Sequence, residues 1–552
     1  MKKISTMLLV LGMAVSLTAC GSGKDTKNPS ASKGNERETG SGDNITSAKD
    51  TMVIVVNGDH GNVNMADSIG NNSSMLNSLC TNHLVDFYYN EDGSVQHGIC
   101  DRSLASSYEY DEDNMGMTFH LREGVLFQNG EELTAEDVIF SLGFYKNKTG
   151  YDWIDFDNLK AVDDYTVYIP FHYIYSSSLI QLCVVGMWNY DYWEEVGGNE
   201  TLFFHDAPIG TGAWQITEYE TDNYVNLVRF EQYFEGPAIL SNLTVRFISE
   251  STVAFSELIT GGADYVFTPA GSDINDVESG VYKDEISLFN ALKEDALMIG
   301  FNGYSEYLQD INVRKAICHA FNREDMTAVY NGAAIDMYTV TSNAPGTMTD
   351  YSDHWFYEYN PETAAQCLKD AGWEDTDGDG LVENAAGEEI HLRYLYIGSS
   401  AAYATIGEIM KNNLAAVGID LELCGYDIPT YEDMMANDVE GWDFWEMQLG
   451  SINSANGWNY TYEVEMLDKA HSDQFDTWKD YQEKYIKPLN ETLDTEAWWT
   501  LFRELEPKTM TDYLYWYPIC QPRDVSAYSS KLKGFERITW QTWNLADCYF
   551  TE

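Results

Sequence analysis

The sequence predicts an α/β protein built as two lobes, and three observations carry that reading. Leu243, Val245 and Phe247 alternate as a strand, and a helix follows from about Ser251 with Val253, Leu258 and Ile259 on one face. Gly261-Gly262 stops it and Tyr265 to Phe267 is the next strand, so the unit predicts a parallel pair with a right-handed crossover. The same grammar recurs far downstream. Ile390, Leu392 and Tyr394 alternate, Ile406, Met410, Leu414 and Val417 make a helical face, Gly418 ends it, and Ile419, Leu421 and Leu423 alternate again. Between the two units lie two further capped helices, one over about Val313 to Phe321, the other starting at Asn360-Pro361-Glu362 and ending at Gly372. Two α/β regions so far apart in sequence belong to different lobes.

The chain has 552 residues, enough for three to four domains or two large lobes. Its 44% hydrophobic content supports a sizeable core, and its 89 acids against 32 Lys and Arg give a net charge of -57. That charge excludes nucleic-acid binding through a basic footprint and describes a solvated, self-repelling surface.

Lys2 and Lys3 precede an apolar run, Met7 to Val15, too short to remain as a spanning helix. It ends in Leu17-Thr18-Ala19-Cys20-Gly21, which resembles the lipobox of bacterial lipoproteins. Residues 1-19 are therefore expected to be a lipoprotein signal peptide and Cys20 to carry the lipid, two acyl chains holding the protein stably on a membrane. Residues 20-50 are rich in Gly, Ser, Asn, Lys and Asp, and cannot bury enough apolar surface to offset their ordering entropy. They read as a flexible tether. The folded part starts near Thr51, with a short strand from Met52 to Val56 closed by Asn57-Gly58. The other eight cysteines are spread without C-x-x-C or metal-finger spacing.

Residues 120-145 read HLREGVLFQNGEELTAEDVIFSLGFY. His120, Arg122 and Val125 to Phe127 form a strand and Asn129-Gly130 a turn. Thr134 is the N-cap, with Asp137 three residues on, of a helix bearing Val138, Ile139, Leu142 and Tyr145 at helical spacing. As a motif, LREGVLFQNGEELTAEDVIFSL resembles the signature of family 5 extracellular solute-binding proteins, the receptors of peptide and nickel ABC importers. Further landmarks of that family arrive in order. They are Pro208-Ile209-Gly210-Thr211-Gly212-Ala213, Ile299-Gly300-Phe301-Asn302, Asn312 to Ile317, Ala320 to Glu324, Tyr359 to Trp373, and Gly441 to Gly450.

The resemblance implies a two-lobed periplasmic-binding-protein-like fold (type II, cluster C) with an extra domain inserted in the first lobe. Domain I would comprise 51-87, 206-295 and 521-552, domain II 88-205, and domain III 296-520. It implies a receptor that captures peptides between its lobes on the outer face of the bacterial cytoplasmic membrane. There it would act as a monomer and deliver solute to the transmembrane subunits of an ABC permease, with no cofactor. Oligosaccharide or another small solute is the alternative ligand class, nickel complexes a third, and a secreted surface hydrolase the rival from another class. No G-x-S-x-G, Walker loop, H-E-x-x-H or G-x-G-x-x-G occurs, so nothing points to an enzyme.

A ligand held between lobes is expected to meet three stretches. Asn57, Asp59 and His60 follow the first strand. Trp442, Trp445, Gln448, Ser451 and Asn453 lie on or after a strand that borders the family's pocket, and Tyr515 and Tyr517 sit in an aromatic cluster before the return crossing. Aromatic rings offer large contact area with a polar tip. Peptide-binding members carry an aspartate after that strand, which pairs with the free α-amino group. Here Leu449-Gly450-Ser451-Ile452-Asn453 holds no acid, and a buried ammonium without a carboxylate is costly. Gln448, Ser451 and Asn453 would suit hydroxyl or amide groups. Asp375, Asp377 and Asp379 with Gly380 occupy positions 1, 3, 5 and 6 of a calcium loop, and Glu383 position 9, but position 12 is Ala386. Weak Ca²⁺ binding and a plain polar turn both stay open there.

Overall fold

A computed structural model of the chain describes residues 47-59, 62-64, 71-89, 95-111, 113, 115-148, 150-292, 296-339, 356-449, 470-537 and 543-552. The first strand, Thr51–Val56, is a continuous apolar run whose Met52, Ile54, Val55 and Val56 are all buried. A strand covered on both faces takes a central place. It separates the two strands of the first α/β unit, pairing in parallel with Asn242–Phe247 on one side and Tyr265–Phe267 on the other. The expected direct pairing is thus replaced by a parallel triplet, because the most apolar strand claims the middle. The helix between them, Ser251–Thr260, buries Ala254, Phe255 and Leu258, while Val253 and Ile259 point outward. The buried i, i+1, i+4 stripe is the coherent helical face.

The second unit forms as read. His391–Ile397 pairs directly and in parallel with Asp420–Tyr426, and helix Ala401–Ala415 crosses between them. Gly261, Gly372 and Gly418, each expected to end a helix, have φ of +80°, +87° and +81°, the left-handed region in which a side chain would be strained. Thr134 and Asp137 form the expected capping box ahead of helix Ala135–Gly143: the Asp137 carboxylate accepts the Thr134 N–H at 2.8 Å and its hydroxyl at 2.9 Å.

The chain passes between lobes along one ladder. Strand Trp516–Ser529 pairs antiparallel through its first half with Ala296–Phe301 and through its second half with Ile286–Leu292. Leu297 lies opposite Cys520 and Leu292 opposite Arg523, so both crossings occur side by side. Buried apolar side chains sort into separate cores on this frame. One is drawn wholly from residues 296-520 and another from 84-187. A third comes from 52-80, 188-267 and 532-550. The 84-187 core lies against a four-stranded antiparallel sheet of Ala105–Tyr110, Gly116–Leu121, Thr166–Pro170 and Lys160–Asp163.

The Pro208 to Ala213 turn explains its own glycines. A Cβ on Gly212 would stand 2.4-2.6 Å from backbone atoms of Leu79, Cys80 and Thr81, and one on Gly210 2.2 Å from the Cys80 carbonyl. Backbone meets backbone there and only hydrogen fits. Gln128 clamps the junction. Its amide donates to the carbonyls of Cys80, Gly212 and Trp214, and its carbonyl accepts the Gly210 N–H.

Candidate functional site

Strand direction decides where a ligand can sit. In the first lobe the three parallel strands run antiparallel to Trp516–Ser529, with Tyr265 opposite Tyr528 and Phe267 opposite Ser526. Their carboxyl ends therefore point towards the crossing. In the second lobe Phe444–Leu449 runs parallel to His391–Ile397 and antiparallel to Ala296–Phe301, which brings Leu449 opposite Ala296. Its carboxyl end points at the crossing from the other side. The two sets of parallel strands thus aim their carboxyl ends at each other, the place where open α/β sheets take ligands. Away from the crossing the lobes also touch, the Ser176 N–H donating to the Asn490 carbonyl at 2.8 Å.

Asn57 and Asp59 stand at this edge of the first lobe, Asn57 exposed. Both Asp59 oxygens are engaged, one accepting the Tyr219 hydroxyl at 2.5 Å and the other the Asp222 N–H at 2.8 Å. Asp59 so ties the loop after the first strand to the hairpin of Trp214–Glu220 and Tyr224–Arg229. His60, Ser451 and Asn453 lie outside the described residues, and Gln448 is placed through its backbone, opposite Leu297.

The aromatic candidates lie deeper. Trp442 is fully buried, its indole N–H donating to the Met434 carbonyl at 3.3 Å. Trp445 is 3% exposed, with ring centroids 6.3 Å from Trp516 and 6.4 Å from Trp442. Tyr515 stacks on Phe475 at 5.1 Å and shares a hydrogen bond with Thr477, and burial pushes its hydroxyl up to about 12. Tyr517 is fully buried beneath the Arg323 guanidinium, 4.8 Å from the ring centroid. The structure gathers these four rings into the second lobe's core rather than onto an open wall, since Trp445 and Tyr517 lie on strands central in its sheet and Trp442 and Tyr515 lie just ahead of them.

Several motif residues are structural pins. Asn302, fully buried, donates to the carbonyls of Val439 and Trp442 and accepts the Tyr304 N–H. Asp443 accepts the Ser305 hydroxyl at 2.6 Å and the Arg393 N–H at 2.8 Å. Arg314, 2% exposed, donates to the carbonyls of Leu308, Gln309, Tyr513 and Leu514, and burial pushes it down to about 10. It thereby holds the segment that leads into the crossing strand.

In the acidic loop, Asp375, Asp377 and Glu383 each offer an oxygen within 4.8 Å of the others. The same carboxylates already cap backbone N–H groups, Asp375 those of Gly378 and Gly380, Glu383 that of Thr376. Asp379 stands apart and accepts the Leu381 N–H at 2.9 Å.

The Gly441 to Gly450 stretch also holds an acid that is not among the candidates singled out above. Glu446 lies within Phe444–Leu449, 2% exposed, with one carboxyl oxygen accepting the Tyr394 hydroxyl at 2.7 Å. Its signal was an acid at every-other spacing with Phe444, on the inward face of a buried strand.

Comparison with known proteins agrees with the geometry. Residues 102–463 match the family model described as bacterial extracellular solute-binding proteins, family 5 middle. Over 97% of both chains the sequence is 24% identical to the oligopeptide-binding protein AppA of Bacillus subtilis. It is 24% identical to the nickel-binding periplasmic protein of Escherichia coli over 61% of this chain and 64% of that one. Solved structures of the same fold include NikA of Brucella suis with Fe(III)-EDTA (TM-score 0.75, 20% identity, 91% of this chain and 100% of that one). Another is AppA of Bacillus subtilis with a nonapeptide (TM-score 0.68, 20% identity, 91% and 99%). The architecture is that of the two-lobed periplasmic binding proteins, whose family members are transport receptors rather than enzymes. With opposed strand ends, a double crossing and a family match over most of its length, the chain belongs to the family 5 extracellular solute-binding proteins of ABC importers.

Proposed function

We propose that this receptor captures di- and oligopeptides between its lobes and hands them to the transmembrane subunits of an ABC permease. The observation that carries the reading is the convergence of both sets of strand carboxyl ends on the paired crossings, which leaves the ligand position between two separately packed bodies. A ligand that touches both lobes only when they are together favours closure by its own differential contacts. The peptide class rests on relatives named as oligopeptide-binding, including one solved with a nonapeptide. The domain division 51-87, 206-295 and 521-552, then 88-205, then 296-520, is proposed with it; the core drawn wholly from 296-520 supports the last part, while the other two cores change over between 80 and 84 and between 187 and 188. Cys20 is proposed as the lipid anchor, residues 20-50 as the tether and the receptor as a monomer; no described helix is long and apolar enough to cross a membrane.

Mass spectrometry of the solute that co-purifies, followed by thermal-shift titration with peptides and with oligosaccharides, tests the ligand class. Saturable stabilisation by peptides without turnover supports the reading. Stabilisation by oligosaccharides alone would move the same receptor to the alternative class, and product formation abolished by changing one acid would replace it with a hydrolase. A calorimetric titration with millimolar calcium decides the acidic loop, absence of heat leaving it a polar turn.

A further inference from the structure

Glu446 is a buried acid that the surrounding fold leaves half satisfied. Its second carboxyl oxygen is buried and has no hydrogen-bond partner. Among the described residues no lysine, arginine or histidine pairs with it. Burial holds its acid well above the usual carboxylate range, opposed only by the Tyr394 hydroxyl. A buried polar atom left without a partner is rare and costs free energy unless something supplies one.

Its position is that of a binding group. One step past the last paired residues, Leu395 and Trp445, Glu446 comes level with the closing residues of His391–Ile397. It therefore sits just beneath the edge where the second lobe's strand ends face the first. Tyrosines surround it. Tyr394 donates to it, the Tyr431 hydroxyl lies 3.4 Å from its backbone carbonyl, and burial first and then the Glu446 charge raise the Tyr330 and Tyr431 hydroxyls. Tyr403 and Tyr431 occupy the first turns of the helices Ala401–Ala415 and Ile428–Asn437, which begin where the strands His391–Ile397 and Asp420–Tyr426 end. A cation brought among these tyrosines would draw the proton off Glu446, because the aromatic rings and the carboxylate so formed both attract positive charge. The net charge of -57 gathers cations towards such a site.

We propose that Glu446 is the counter-ion for a cationic group of the solute, an ammonium or guanidinium that enters among Tyr330, Tyr394, Tyr403 and Tyr431. The proposal rests on the receptor reading above and narrows its ligand to positively charged solutes. It is separate from recognition of a free peptide N-terminus, because the partner here can be a side chain of an end-blocked ligand.

The test uses the full receptor and three probes: an end-blocked tripeptide carrying one lysine, the same peptide with that lysine acetylated, and 1,5-diaminopentane. Wild type is expected to bind the lysine peptide at least about tenfold more tightly than its acetylated twin, and E446Q, which keeps the shape and the Tyr394 contact, to lose that preference. Wild type that binds both peptides equally overturns the proposal without any variant, so it stays decidable even if E446Q does not fold. A preference that survives in E446Q overturns it as well. Should the diamine stabilise wild type but not E446Q while neither peptide binds, the cation site stands and the peptide reading falls. Binding of both peptides without discrimination keeps the peptide reading and removes this one, and binding of none of the three removes both.

Discussion

Gln128→Ala isolates the junction on which the first lobe is assembled. The side chain, 9% exposed, reaches the carbonyls of Cys80, Gly212 and Trp214 at 3.2, 3.1 and 2.9 Å, and accepts the Gly210 N–H at 3.2 Å. The Cys80 carbonyl keeps a partner after truncation, since the Gly212 N–H also donates to it at 2.8 Å. The Gly210 N–H does not, and a stranded buried donor costs about 1–3 kcal/mol, with about 1 kcal/mol for each net bond lost. Together these predict a loss of roughly 3 kcal/mol or more. Urea unfolding followed by intrinsic tryptophan fluorescence measures it, with Glu131→Ala as the neighbouring control. Glu131 is exposed and its carboxylate meets only the Asn129 amide, so that change should stay within about 0.5 kcal/mol. If the two variants unfold at the same urea concentration, the clamp contributes nothing and the account of this junction is wrong.

Gly212→Ala should abolish soluble folded protein, because its Cβ would strike fixed backbone, whereas Gly58→Ala, with nothing within 4 Å, should fold like wild type; equal expression and unfolding of the two would contradict the packing argument. Trp445→Ala should cost about 3–5 kcal/mol in urea unfolding, as a truncated buried aromatic does, so any affinity loss it shows reports damage to the lobe. Asn57→Ala, at an exposed position, is the cleaner probe of the first lobe's ligand edge, and an unchanged affinity would place the ligand elsewhere. Burial holds the folded Glu446 above its unfolded value of about 4.3, so its contribution to stability is complete below that value and is lost as pH rises. The melting temperature of E446Q relative to ligand-free wild type should therefore increase from pH 4 to pH 7, and a difference independent of pH would show that Glu446 is not buried as an acid.

Some of the molecule is legible in the sequence alone. The capping box at Thr134 and Asp137, the glycine stops at 261, 372 and 418, and the Asn360-Pro361 helix start each depend on atoms within four residues of one another. The second α/β unit was equally readable because its two strands are direct neighbours. The first was read only in part: nothing near residues 242-267 announces that Thr51–Val56 will lie between them. Of the residues proposed for the ligand site, Asn57 and Asp59 follow the carboxyl end of the first strand, while Tyr515 and Tyr517 are buried. Tyrosine suits a wet rim and a dry core alike, and alternation along a strand assigns a face without saying what covers it.

Short-range chemistry thus specified the helices, the turns and the motif string that betrays the family. Packing between segments hundreds of residues apart decided the rest: that Gly212 rests on the backbone of Cys80, that Arg314 holds the approach to the crossing strand, and that the two sheets aim their ends at one another. Glu446 shows the division most sharply, since its identity is written in one letter but its missing partner exists only in three dimensions. The reason is physical: a cap or a turn is satisfied by its own neighbours, whereas the solvation of a buried charge is a property of every chain segment folded around it.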